Sequence, residues 1–326
     1  MLARLLAMGL GVAIVAQCGV VPAVAQEAYP AKPITLVVPF PPGGVADIVA
    51  RPFGEAMSRN LATPVIIENK AGAGGGIGMA YAAKAKPDGY TLLLALSSIS
   101  ILPEADKITG RAPMYQLEQL LPIARLTADP TVLAVRAESP WKTLGEFVAD
   151  AKHRPGAISY GSSGNYGTMH VPMEMFAARA GIKLLHVPFT GAGPALIALL
   201  GGNVDAVASG PSTVIQHVKA GRLRVLASWG DKRLASLPDV PTLVELGYDA
   251  VFYQWSGLFA PTGTPEPVVA RLREAAHVAA SDSRFVAAMA TVDTPVQYLD
   301  ASDFSRVWNG EIPRLQRVVR GIGKVE

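Results

Sequence analysis

Ile34-Thr35-Leu36-Val37-Val38-Pro39-Phe40-Pro41-Pro42-Gly43-Gly44-Val45-Ala46-Asp47 is the stretch on which the fold of this chain turns. Ile34–Val38 is a short β-branched, apolar run bounded by prolines, which reads as a buried strand. Val45–Asn60 follows with helical spacing. The turn between them is rigid at its prolines and open at its glycines, so backbone can approach another molecule closely there. The first amides of the helix have no intrahelical acceptor. A strand running into a helix through Phe40, Pro41, Gly43 and Gly44 is therefore a candidate seat for an anionic group. An ordinary βα turn with Asp47 as a helix-start acid explains the same residues.

Working outward, Val65–Glu68 is a second strand, Ala71–Gly78 a glycine-rich turn into a helix ending near Lys86, and Thr91–Ala95 a third strand after the turn Pro87-Asp88-Gly89. This alternation predicts parallel sheets covered by helices. Leu96–Leu120 reads as irregular, broken by Pro103, Gly110 and Pro113. A second alternating set follows. Its strands are Thr131–Val135, Ile158–Gly161, His186–Phe189, Val204–Ala208 and Arg222–Ser228. Its helices are Leu144–Lys152, Thr168–Ala180 and Ala192–Leu200. Val251–Ala260 is a long apolar strand, and helices at Glu266–Ala279 and Ser302–Val319 finish the chain. The expected organisation is α/β with two lobes: 26–130 plus 252–326 in one, 131–251 in the other, with a ligand cleft between them and crossovers near Thr131 and Phe252.

The composition suits this size of core: 326 residues, 50% hydrophobic and 17% charged, which excludes a disordered chain. Residues 1–25 read as a secretory signal, with Arg4 before the apolar run Leu5–Val15 and an Ala23-Val24-Ala25 site cleaved after Ala25. Gln17, Gly19 and Pro22 interrupt the run before it reaches membrane-spanning length. The expectation is a periplasmic protein. The single cysteine, Cys18, lies inside the signal and follows Gln17 rather than the small residue a lipid-attachment site needs, so no disulfide or thiol chemistry is expected of the mature chain. Removing Arg4 lowers the formal charge from +3 to +2. Lys and Arg are scattered, with no basic stripe to mark nucleic-acid binding.

Further junctions offer polar groups. Tyr160-Gly161-Ser162-Ser163-Gly164-Asn165-Tyr166-Gly167-Thr168, with His170 in the next turn, follows a strand and opens a helix in the second lobe. Ser162, Ser163, Asn165 and Thr168 could grip the far side of a ligand, although Ser163 or Thr168 could equally cap the helix. Thr190 and Gly191 open another strand-to-helix junction, Ser97 and Ser98 end the third strand, and Ser209 ends a strand of the second set. The Ala71–Gly78 turn fails the dinucleotide and P-loop patterns. The histidines lack metal-ligand spacing, so neither metal nor cofactor is expected. The rival class is a serine hydrolase using Ser162 or Ser163 with His170 and Asp47 or Asp205, but G-x-S-x-G is not met.

Seven segments, taken in order, resemble the solute receptors of tripartite tricarboxylate transporters, the Bug-type receptors. They are Tyr29–Ile34; Val38–Gly44 with Asp47 and Arg51; Glu68–Gly75; Pro87–Leu93; the loop from Tyr160 together with Val187–Gly191; Leu200–Asp205; and Leu237–Thr242. The resemblance implies a type II periplasmic-binding-protein fold that is not an enzyme and captures a small carboxylate: a di- or tricarboxylate or an aromatic acid. It also implies that loop amides and ordered water, rather than an arginine clamp, hold the carboxylate, and that the partner is an integral membrane transporter driven by an ion gradient; a sensing role without transport is the alternative. Three features depart from the family pattern: the segment Leu96–Leu126, Tyr166 within the loop, and Phe189 where Tyr is frequent.

Overall fold

A computed structural model describes residues 29–325; the signal segment 1–25, with Cys18 and the expected cleavage after Ala25, lies outside the described residues. The first half builds β1 (Ile34–Val38), α1 (Val45–Leu61), β2 (Val65–Asn69), α2 (Gly76–Ala83), β3 (Thr91–Leu96), α3 (Leu102–Ile108) and β4 (Leu120–Pro130). A second set runs β5 (Val132–Arg136), α4 (Leu144–His153), β6 (Ser159–Ser162), α5 (His170–Ala180), β7 (Leu185–Pro188), α6 (Ala192–Leu200), β8 (Ala206–Ser209), α7 (Pro211–Lys219) and β9 (Leu223–Ser228). The chain then returns through β10 (Tyr253–Pro261) and ends in α8 (Glu266–Ala280), α9 (Ser283–Thr291) and α10 (Ala301–Ile322). One five-stranded sheet is ordered β2-β1-β3-β10-β4 and the other β7-β6-β8-β5-β9.

The expectation of parallel sheets needs correction. β1 is parallel to β2 and β3, and β6 to β7 and β8, as βαβ units require. β10 is antiparallel to β3 and β4, and β5 is antiparallel to β8 and β9. These are the strands by which the chain enters one sheet from the other. Their direction is set by that crossing, not by a crossover helix.

The segment 96–120 is also more regular than its breakers suggested. Ser97–Ser100 form a 3-10 turn, α3 follows with Pro103 in its first turn, and Leu120 opens the eleven-residue β4. β4 was hidden because Pro122 and Pro130 lie within it. It is the sheet's edge strand, where a missing N–H costs no ladder bond on the open side. Thr131 is the link between β4 and β5 rather than part of a strand, and α7 and α9 were not foreseen.

Strand alternation divides the core. Along β5, Leu133 and Val135 face the large apolar cluster that runs through the first lobe and on to Phe176 and Trp229, while Val132 and Ala134 face a smaller one with Ala195, Leu199 and Val214. The two crossing segments bond each other: Trp229 N donates to Thr131 O (2.8 Å), Phe252 N to Trp229 O (3.0 Å) and Thr131 N to Phe252 O (3.3 Å). The lobes are thus joined by short crossing segments that bond one another.

Candidate functional site

The turn 39–44 leads directly into α1, whose first helical acceptor is Gly44 O, bonded by Ile48 N at 3.0 Å. The amides of Val45, Ala46 and Asp47 therefore precede the ladder at the positive end of the helix. Asp47 is buried and spoken for. Its Oδ2 accepts from Gly43 N (3.0 Å) and Arg51 Nε (2.9 Å), and its Oδ1 from Arg51 Nη2 (2.8 Å) and Asn69 Nδ2 (3.0 Å). Burial works to raise its pKa, but these bonds outweigh it and hold the carboxyl below its ordinary value. In this structure Asp47 braces the turn, and the Gly43 amide is already bonded to it. Asn69 also ties the turn down, donating to Phe40 O at 2.9 Å.

Opposite lies the loop between β6 and α5. Tyr166 holds a left-handed backbone, φ 58°, which bends the loop back on itself. Its hydroxyl donates to Gly323 O (2.8 Å) and accepts from Val325 N (2.9 Å), so the tail after α10 ties to the second lobe. Its amide donates to His170 Nδ1 (3.0 Å), which rules out His170 as a freely placed base.

The two lobes meet along a seam. Gln254 on β10 donates from Nε2 to Thr168 Oγ1 at 2.6 Å. A Cβ at Gly191 would stand 2.5 Å from Pro41 Cδ, whereas one at Gly44 would stand 3.7 Å from Ala192 Cβ. The tight approach therefore falls on Gly191, in extended backbone at φ 173°, and not on the Gly43-Gly44 pair. Within the seam a cavity of about 10 Å³, the size of one water site, is lined by Phe40, Gly44, Val45, Leu96, Ser163, Thr168 and Gln254.

Ser163 Oγ and Gln254 Oε1 are buried without a protein partner, and so are Ser97 Oγ and Ser98 Oγ just beyond Leu96. Native interiors rarely leave such groups unpaired, and two of them, Ser163 Oγ and Gln254 Oε1, line the seam cavity beside the start of α1. Other candidates are already satisfied: Ser209 Oγ shares a 2.8 Å bond with Thr213 Oγ1. Thr190 and Asn165 lie outside the seam, lining a wider cavity next to it. Gln254 was missed in the sequence. Its signal was a single amide inside the apolar run Val251–Ala260.

The hydrolase arrangement does not assemble. Ser162 Oγ lies 2.6 Å from Nε2 of His186, not of His170, and bonds its own loop at Gly164. Asp205 is held by Ser159 (2.7 and 2.8 Å), and Asp47 by Arg51. His170 and His186 stack at 4.2 Å. Burial, then the neighbouring His186, lowers the His170 pKa to about 3, and burial lowers that of His186 to about 4, so both are neutral packing groups at neutral pH. Among the described residues no group of three or more His, Cys, Asp or Glu is placed to hold a metal, and no helix is long and apolar enough to cross a membrane.

Comparison with known proteins agrees with this architecture. The chain is 35% identical over 329 residues to BugT of Bordetella pertussis, covering 98% of each. Its fold matches the periplasmic binding protein BugD with a TM-score of 0.86 at 31% identity, over 91% of this chain and 100% of that one. It matches MatC of Rhodopseudomonas palustris, solved with bound malate, with a TM-score of 0.84 at 30% identity, over 89% and 100%. BugD is a periplasmic binding protein, and MatC holds malate. The model of the tripartite tricarboxylate transporter family receptor matches residues 49–324, and the chain belongs to that family.

Proposed function

We propose that this receptor captures a small carboxylate between its lobes and delivers it to the membrane subunits of a tripartite transporter. The observation that carries the reading is the pair of unpartnered buried atoms, Ser163 Oγ and Gln254 Oε1, lining the seam beside the start of α1. One carboxylate oxygen takes the open amides of Val45 and Ala46 at the positive helix end; the other takes hydroxyl donors from Ser163 and, through water, Ser98. The lobes divide as 26–130 plus 252–326 and 131–251. A carboxylate is larger than the seam cavity, so the lobes must part at the Thr131 and Phe252 crossings to admit it and then close, favoured by a ligand that touches both. That the malate-bound MatC shares the fold supports the ligand class. Export with cleavage after Ala25 completes the proposal.

Calorimetry on the purified mature chain with a panel of small carboxylates tests it, with recovery of the ligand afterwards. The expected result is saturable 1:1 binding, ligand recovered unchanged, and affinity at least 10-fold weaker in Ser163→Ala. Turnover of any carboxylate, or wild-type affinity in Ser163→Ala, would overturn the site.

A further inference from the structure

Next to the seam lies a cavity of about 560 Å³ whose walls come from both lobes. Leu102, Ala105 and Met114 line it on one side, Pro188 and Phe189 on the other. The cation on its wall is Arg111, whose charge is balanced by the buried Asp106: Nε and Nη2 both donate to Asp106 Oδ1, at 3.2 and 3.1 Å. The other oxygen of the buried Asp106 accepts from Met114 N at 3.2 Å. Among the described residues lining this cavity there is no second cation. Asn165 Oδ1 is buried here without a partner, and it is an acceptor.

Seam and cavity are joined by three consecutive residues. Ser163 lines the seam and Asn165 the cavity, and Gly164 between them is pressed against Gly74, where a Cβ would lie 3.0 Å from Gly74 N. Once the lobes part and release the Gly164–Gly74 contact, a molecule whose carboxylate sits at the seam can lay its remaining bulk against these apolar walls.

We infer that the ligand of this receptor is a monocarboxylate with an apolar body, aromatic or aliphatic, which the Leu102–Met114–Phe189 cavity takes while the carboxylate is held at the seam; the inference rests on the carboxylate site proposed above. A second carboxylate placed against these walls would lose its hydration with no unbalanced cation to replace it. Any second polar group on the ligand is a neutral donor, a hydroxyl or amide, paired with Asn165 Oδ1. A tricarboxylate is the worst fit of the acids the family resemblance implies.

The test is calorimetry on the intact mature chain with benzoate, hexanoate, malate and citrate under identical salt. Benzoate or hexanoate is expected to bind at least 10-fold more tightly than malate and citrate. Met114→Lys, which adds a cation to the apolar wall, is expected to weaken the best monocarboxylate at least 10-fold and to narrow or reverse the gap to malate. Malate or citrate binding most tightly to the wild type would overturn the inference while leaving the carboxylate receptor standing. Binding of none of the four to a cooperatively folded protein would overturn both. The wild-type ranking decides the question even if the Lys variant folds poorly.

Discussion

The two sides of the seam are built on opposite plans. The turn from Pro39 to Asp47 satisfies itself: Asp47, Arg51 and Asn69 absorb every side-chain bond in reach and leave only backbone amides facing across. The loop from Ser162 to His170 braces its backbone through Tyr166 and leaves Ser163 Oγ and Asn165 Oδ1 unpaired. One side is a finished frame, in which a side-chain change disturbs the fold. The other holds unpaired polar groups, which cost stability in a dry interior; under the proposed function a change there disturbs recognition, and binding recovers that cost.

The largest expected effect separates the glycines of the two sides. Gly191→Val places atoms against Pro41, since even a Cβ stands 2.5 Å from its Cδ, and keeps the lobes from meeting. Affinity is expected to fall by more than about 100-fold, roughly 3 kcal/mol, with the unfolding midpoint unchanged. Gly44→Ala, with 3.7 Å to Ala192 Cβ, is expected to lose less than a tenth of that factor. Equal losses in the two variants, measured by calorimetry, would erase the distinction.

Asp47→Ala sharpens the contrast in stability. It strips partners from the Gly43 amide, Asn69 and Arg51, and is expected to cost about 2–3 kcal/mol in denaturant unfolding. The ion pair itself accounts for little of this, because Arg51 is half exposed. Ser163→Ala, which removes a buried atom that has no protein partner, is expected to cost no stability and to raise it by up to about 1 kcal/mol. A similar cost for both would mean that the two plans do not differ.

The loop side also carries the acid sensitivity. His170 keeps a folded pKa of about 3 against an ordinary 6.5, so below pH 6.5 the unfolded chain binds a proton that the native chain refuses. Its contribution is fully present above pH 6.5 and is lost as pH falls toward 3, at about 1.4 kcal/mol per pH unit for each proton. Asp129, raised by burial to about 7, acts in the opposite direction, losing its contribution as pH rises from 3.8 through 7. The measurement is therefore a difference. Denaturant titrations between pH 6 and 4 should show a slope shallower by about 1.4 kcal/mol per unit in His170→Gln than in the wild type. Identical slopes would mean that His170 takes up its proton in the folded protein.

The smallest effect concerns the tail. Tyr166→Phe removes the bonds to Gly323 O and Val325 N and is expected to cost about 1 kcal/mol of stability and a few-fold in affinity, measured on the same preparations. A chain ending at Ile322 should behave like Tyr166→Phe, and the two changes together should add nothing.

Much of the fold was legible in the sequence because it is written in local pattern. The run Ile34–Val38, the proline–glycine turn and the helix from Val45 announce a βα unit without help from the rest of the chain, and β6 and α5 do the same around Ser162–His170. β4 went unassigned in the sequence, because prolines such as Pro122 and Pro130 fit a strand only at a sheet edge, and only the sheet order shows that edge. The antiparallel direction of β5 and β10 was not legible either, since it follows from where the chain crosses between lobes. Within the site, residue types that can bond a carboxylate were visible, but not which of them remain unpaired.

By itself, the sequence determined the alternation of strands and helices, the turns where backbone is bare, and the ordered segments that mark the family. Each of these depends on neighbours a few residues away. Only the tertiary structure decided that the Gly43 amide belongs to Asp47, that Ser162 pairs with His186, that Gly191 carries the close approach and that Gln254 reaches Thr168. The widest of those outcomes join residues far apart in sequence, 86 positions for Gln254 and Thr168 and more for Gly191 and Pro41, where the competition for space and for each donor and acceptor is settled by packing rather than by pattern.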